Sequence, residues 1–146
     1  MEQSQLIDIL KKHKRWLLEQ PGGEQANLSG KDLSGQHLPG VDLRKANLAG
    51  ANLKRVVLQG ADLREADLTN CELSYANLAG GDLRQVKMQG AKLTQADFWA
   101  NKVEDTDFSG VDFREALMGQ ETRNGVRAGG GLVSDYFVFP KYEVVN

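Results

Sequence analysis

The 146-residue chain predicts an all-β solenoid of five-residue repeats, entered through an amphipathic helix. Three observations carry this reading. Stepping by five from Leu28 reaches nineteen positions, through Leu33, Leu38, Leu43 and on to Phe98, Val103, Phe108, Phe113 and Met118, and all are apolar. In a chain that is 40% hydrophobic, chance gives such a run roughly once in tens of millions. Two residues before each centre stands a small residue, most often alanine, in 16 of the 19 repeats, with Lys31, Gln36 and Asn101 as the exceptions. Two residues after the centre, glycine recurs eight times, from Gly30 to Gly110.

A period of five fits neither a helix nor a straight strand. On a helix these leucines would wander over all sides, and along one strand they would change face at every step. The pattern is met if each five residues are a short extended piece followed by a turn. The small residue and the centre, two apart, then share the inward face. The residue between them, usually Asp or Asn, points outward. Glycine in the turn suits a tight corner. One coil of this kind cannot bury its inner row, but stacked coils can, at the ~4.8 Å spacing of a sheet.

Three segments follow in order. Residues 1–25 hold a helical stripe of Leu6, Ile9, Leu10, His13, Trp16 and Leu17, stopped by Pro21, Gly22 and Gly23, with Ser4 the expected N-cap. Lys11, Lys12, Lys14 and Arg15 occupy the opposite face. Residues 26–119 are the repeats. Residues 120–146 form a tail whose Gly129-Gly130-Gly131 reads as flexible and whose Asp135, Tyr136, Phe137, Val138, Phe139 and Pro140 read as strand. The tail is expected to cover the open edge of the last coil.

The blocks ANLAG ANLKR, ADLRE ADLTN and ADFWA resemble the A(D/N)LXX motif of the pentapeptide-repeat family, over about two-thirds of the chain. The resemblance implies a right-handed quadrilateral β-helix with four repeats per coil. KHKRWL, ahead of the first repeat, resembles the N-terminal helix that caps the first coil in many members. Members whose function is best understood imitate DNA and bind gyrase; others act as regulators or effectors by binding. The gyrase branch carries a continuous acidic surface and dimerises through a C-terminal helix. Here the repeats hold 13 acids against 11 bases, and the tail reads as strand, so both features count against that reading.

With four repeats to a coil, residues twenty apart stack. Asp42, Asp62 and Asp82 then form a ladder beside Arg44, Arg64 and Arg84, which Lys102 and Glu104 end with reversed signs. A self-neutralised, solvated face is the expectation, with each exposed pair worth about 0–1 kcal/mol. Two further ladders, Asp67–Lys87–Asp107 and Glu72–Lys92–Asp112, set a lysine between two acids. One wall differs. Its outward residues include His37, Pro39, Val57, Gln59, Asn77, Ala79, Asp97, Trp99 and Leu117, with Asp97 the one carboxylate. Pro39, Val57, Ala79, Trp99 and Leu117 are the expected partner or dimer face. The tail or helix covering this wall, or plain surface, are the alternatives.

No catalytic, cofactor or metal site is expected. His13 lies on the apolar helical stripe and His37 points outward; with the single Cys71 they offer no zinc spacing. The aspartates, five apart, match neither a calcium loop nor a paired-carboxylate site. Cys71 occupies an inward small-residue slot, and no disulfide can form within the chain. The triple glycine lacks the Lys-Ser/Thr of a phosphate loop. A net charge of −2 predicts neither nucleic-acid binding nor strong acidic mimicry. No run approaches the ~18 apolar residues of a membrane span, and no secretory signal is legible, so the cytoplasm is the expected location. The expected function is a non-enzymatic protein-binding scaffold or regulator that presents a rigid face to a protein partner or to itself as a homodimer. The alternative is a DNA-mimic modulator of DNA gyrase, a type II topoisomerase. Charge continuity separates the two, since a mimic needs an unbroken acidic stripe.

Overall fold

The computed structural model describes residues 1–131. Helix α1 (Gln3–Leu17) leads, the repeats follow, and a second helix, α2 (Gln120–Ala128), closes the described chain. Fifteen parallel bridges join the coils, from Asn27↔Asn47 to Asp97↔Leu117, and every one links residues twenty apart. Four repeats therefore make one turn. The extended pieces are so short that each gives a single bridging residue rather than a long strand.

One repeat shows how the backbone is satisfied. The Ala46 N–H donates to Leu43 O and closes the turn (3.0 Å), Asn47 N–H donates to Ala26 O in the coil before (3.0 Å), and Leu48 N–H donates to Asp67 O in the coil after (2.8 Å). Gly50 N–H reaches Thr69 O, also in the coil after, at 2.8 Å. The fifth donor, Ala49 N–H, faces no neighbouring coil, and the Asn47 side chain accepts it through Oδ1 at 3.1 Å. Asp and Asn thus recur at the outward position because their short side chains close the turn's remaining N–H. The second turn residue has positive φ at every corner from residue 30 to residue 115, ten of them non-glycine, including Lys45, Arg55 and Tyr75. With the hydrogen bond from the fourth residue back to the first, that is the pattern of a type II turn.

The inner rows hold the core. Eighteen of the nineteen centres are buried; Leu38, in the first coil, is half-buried. Polar residues in the small row are tolerated where they find a carbonyl. Cys71 Sγ donates to Leu48 O at 2.9 Å, and Thr106 Oγ1 donates to Leu83 O by the same twenty-three-residue step. Asn101, buried in a small slot, accepts from Gly81 N–H at 2.8 Å. In the last coil the rings of Phe98, Phe108 and Phe113 contact one another at centroid separations of 5.5–6.0 Å.

Both ends depart from the sequence expectations in detail. Glu2, not Ser4, is the N-cap of α1; Gln5 reaches back to the Glu2 N–H at 3.3 Å, which leaves Ser4 inside the first turn. From α1, Leu6 and His13 are buried, with Ile9 and Leu10 half-buried beside the core. Residues 120–128, read as part of a non-helical tail, are helix. Gly129, Gly130 and Gly131 are not a flexible link but the helix stop. Gly130 takes φ +84°, Gly131 N–H bonds Val126 O (2.9 Å) and Gly130 N–H bonds Arg127 O (3.1 Å), which is a Schellman motif. Gly129 O then accepts Phe108 N–H at 2.8 Å, so the chain rejoins the edge of the last coil. The strand expected at residues 135–140 lies outside the described residues.

Candidate functional site

The bridge register sorts the outward side chains into four faces. Asp42, Asp62 and Asp82 stack in one ladder. Each Arg beside them grips the carboxylate of its own repeat with two hydrogen bonds, Arg64 Nε to Asp62 Oδ1 at 2.9 Å and Arg64 Nη2 to Asp62 Oδ2 at 2.7 Å. The same arginines lean toward the next coil, Arg44 to Asp62 at 3.7 Å and Arg64 to Asp82 at 3.6 Å. The bidentate bond from Arg84 holds the Asp82 carboxyl below its ordinary range, against the opposing effect of burial. This face is neutralised internally, as its sequence implied. The other charged ladders run Asp67↔Lys87↔Asp107 and Glu72↔Lys92↔Asp112, so a lysine interrupts each acidic row.

The fourth face carries the predicted contact residues. His37, Val57, Asn77, Asp97 and Leu117 form one continuous ladder, which places them on one side of the rod. Pro39, Ala79 and Trp99 follow two residues later, at the corner that ends this face. Pro39 is exposed; Val57, Ala79, Trp99 and Leu117 are half-buried. Trp99 is less free than the others. Its six-membered ring lies about 3.5 Å from where a Cβ on Gly119 would stand, and Gly119 is the N-cap of α2. The ring therefore seals the junction between the last coil and α2.

Sequence reasoning missed the corner on the other side of this face. Tyr75 is 46% exposed and sits at a left-handed corner, φ +61°. The Arg55 guanidinium lies 5.1 Å from its ring centroid and Lys54 Nζ 6.0 Å. A bulky aromatic where eight other corners carry glycine was the signal available.

His13 is fully buried. Its Nδ1 accepts the Ala26 N–H at 3.0 Å, and it stacks on Trp16 at 5.6 Å. Burial pushes its pKa down, opposed by the Arg44 backbone and the Asp42 carboxylate. Burial pushes the Cys71 thiol up to about 12, which leaves it without nucleophilic character at neutral pH. Among the described residues, no group of His, Cys, Asp and Glu is placed to hold a metal ion, and no helix is long and apolar enough to cross a membrane.

The family model for pentapeptide repeats matches in eight copies over residues 24–55, 51–90 and 91–118. The chain belongs to the pentapeptide-repeat family, whose members form right-handed quadrilateral β-helices. No curated protein matches it. Among solved structures it is similar to a pentapeptide repeat protein of the Arabidopsis thaliana thylakoid lumen, at 26% identity over 69% of this chain and 74% of that one, TM-score 0.34. It is also similar to HetL, involved in heterocyst differentiation regulation in the cyanobacterium Nostoc sp., at 24% identity over 66% of this chain and 63% of that one, TM-score 0.40. QnrB1, a plasmid-mediated fluoroquinolone resistance protein, matches at 16% identity over 65% and 71% of the two chains, TM-score 0.37.

Proposed function

We infer that this chain is a non-enzymatic binding protein, a stiff rod that offers the wall of Pro39, Val57, Ala79, Trp99 and Leu117 to a protein partner, with α1 capping the first coil. The observation that carries this is the identity of Val57. At most outward positions an Asp, Asn or Glu closes the turn N–H two residues on, as Asn77 does for Ala79 at 3.1 Å; Lys87, Lys92 and Lys102 leave that N–H without a side-chain acceptor but keep a charged, solvated side chain there. Valine has no acceptor to offer Gln59. The wall thus sets an apolar side chain where a polar one would serve the fold better, and a contact surface is a use for it.

Four ladder steps of ~4.8 Å make the wall about 19 Å tall, and three extended residues make it about 10 Å wide. Its flat area, on the order of 200 Å², is well under the ~800 Å² per partner of a standard interface. The contact must therefore recruit the flanking corners, and two rods meeting through the wall alone would not make a stable dimer. The alternative, a DNA-mimic modulator of a type II topoisomerase, needs the unbroken acidic stripe that Lys87, Lys92 and the Asp–Arg ladder interrupt.

The test is a pull-down from the native host with the parent protein and with Val57→Asn, alongside light scattering of both. Val57 is preferred to Trp99, whose ring packs on Gly119. Equal recovery of the same partners by parent and variant would show the wall to be plain surface. A dimer that Val57→Asn dissolves would move the reading from partner binding to self-association.

A further inference from the structure

The two corners that bound the wall are unlike. On one side the second turn residues are Gly40, Gly60, Gly80 and Ala100, and Cβ atoms built on the three glycines would meet nothing within 4 Å. This is a bare ledge along which a partner's backbone can lie close. On the other side stand Lys54 and Arg55, with Tyr75 directly beneath Arg55 in the next coil. Tyr75 is the one exposed large aromatic among the described residues.

The cations of this corner differ from those of the Asp–Arg face. Arg44 and Arg64 each lie within 4 Å of two carboxylates. Lys54, Arg55 and Lys92 take part in no ion pair among the described residues. The acid amid them, Glu72, accepts Ser74 N–H in its own turn at 2.9 Å; against the opposing effect of burial, that turn and the nearby Lys92 and Lys54 hold its carboxyl below the ordinary range, so it offsets part of their charge. The three stacked repeats 51–55, 71–75 and 91–95 therefore present Lys54, Arg55 and Lys92 against Glu72 alone, a local excess of positive charge on a chain whose net charge is −2. Tyr and Arg, together with Trp, are also the side chains most enriched among interface anchors.

We propose that the partner of this wall is an acidic protein segment whose apolar side chains lie on Val57 and whose carboxylates reach Lys54 and Arg55 beside Tyr75. This rests on the wall being a contact surface, as proposed above, and adds the chemistry of what it contacts. A nucleic acid is the poorer fit. Its affinity comes from many phosphate contacts along a basic track, and here Lys54 and Arg55 hold the corner, Lys92 stands on the adjoining face, and farther along the corner Arg114 is paired with Asp112 and followed by Glu115. A second copy is poorer too, because rods packed antiparallel through this wall set the Lys54–Arg55 corner against itself.

The experiment uses the full chain and three fluorescein-labelled probes: a short peptide alternating glutamate with leucine, the same peptide with lysine for glutamate, and a single-stranded oligonucleotide. Anisotropy is read at low and at physiological salt, with circular dichroism as the folding control. The glutamate peptide is expected to bind, to weaken with salt, and to lose affinity by about tenfold in Lys54→Glu/Arg55→Glu. Tyr75→Ala, which leaves both cations in place, is expected to weaken it as well. Equal binding of the lysine peptide, tighter binding of the oligonucleotide, no binding of the glutamate peptide at low salt, or an unchanged affinity in the charge-reversed variant would each overturn the proposal. Val57→Asn separates the two readings. If it alone abolishes binding and the charge reversal does nothing, the wall stands and the acidic partner falls. If only the charge reversal matters, the cationic corner stands and the apolar wall falls.

Discussion

Leu68→Ala isolates what stacking contributes. Leu68 is fully buried, with Leu48 in the coil before and Met88 in the coil after, both also fully buried. Truncation removes three carbon groups, about 2.4 kcal/mol of transfer free energy at ~0.8 each. The void that remains cannot close along the rod axis. Leu48 N–H is tied to Asp67 O at 2.8 Å, Leu68 N–H to Lys87 O at 2.7 Å and Met88 N–H to Asp107 O at 3.3 Å, so the coils are held at ladder spacing. A cavity contribution adds to the transfer loss, and the total is expected near 4 kcal/mol, in the upper part of the ~2–5 range for core leucines. Leu38→Ala is the internal control. Leu38 is half-buried in the first coil, and its truncation is expected to cost about 1–2 kcal/mol. Urea unfolding followed by far-UV circular dichroism gives both values from the midpoint shift at constant slope. A loss under about 1 kcal/mol at Leu68, or equal losses at the two sites, would refute the claim that a pinned ladder prevents relaxation.

Val57→Asn is expected to raise stability by about 1 kcal/mol, read by the same unfolding assay, because the new amide can accept the Gln59 N–H as Asn77 accepts that of Ala79; a neutral or destabilising result would remove the argument that the wall sacrifices stability. Cys71 is expected to label slowly with a thiol reagent in the native state and quickly in denaturant. Cys71→Ser should lie within ~1 kcal/mol of the parent, since a hydroxyl can donate to Leu48 O as Thr106 donates to Leu83 O; fast native labelling would place the thiol outside the inner row. His13, its pKa pushed down by burial, stabilises the fold only while neutral. That contribution is present above the ordinary histidine pKa of ~6.5 and is lost as pH falls below it. Protonation turns Nδ1 from acceptor to donor against the Ala26 N–H, so α1 is expected to loosen first on acidification. In a Trp99→Phe background, Trp16 fluorescence should change as pH falls below about 6.5, with no such change in His13→Gln. Asp42, Asp82 and Asp112, all held below their ordinary range chiefly by hydrogen bonds from Arg44, Arg84 and Arg114, stabilise the rod above ~3.9 and cease to do so as pH falls further; loss of rod ellipticity is therefore expected to follow, not precede, the Trp16 change.

The repeats were legible because their pattern is dictated by geometry at every step. An inner row two residues apart, a short acceptor between, and a corner two residues on leave few substitutions free, so Leu28 to Met118 announce the coil by themselves. The number of repeats per turn was not in the pattern. Period five says nothing about how many corners close a ring, and that value came from family resemblance before the twenty-residue bridges confirmed it. α2 was hidden for a local reason. Gly125 lies in its middle, where glycine usually argues against helix, yet a Cβ there would collide with the Val103 side chain, so close packing demands it. Thr122 and Val126, four apart and both buried, and Gly130 as a left-handed stop were the signs that could have revealed it. The contact residues were legible as a set only through the register. That Trp99 serves the junction with α2 could not be read, because Gly119 had no assigned neighbour until α2 was placed.

The ladder gives each residue of the rod a two-part address, its face and its height, and the two respond differently to changes in chain length. Removing residues 61–80 takes out one whole turn. Everything beyond keeps its face and drops one level, so that Val57 comes to rest on Asp97 and the wall survives one rung shorter. Removing residues 61–65 alone leaves the inner rows equally continuous but turns the remainder of the rod by a quarter. Asp82 then lies against Val57, and Trp99 and Leu117 pass round the corner onto another side. Two deletions that the core tolerates alike thus have opposite effects on the surface. Chains of this build can change length freely only in steps of twenty if they are to go on meeting the same partner.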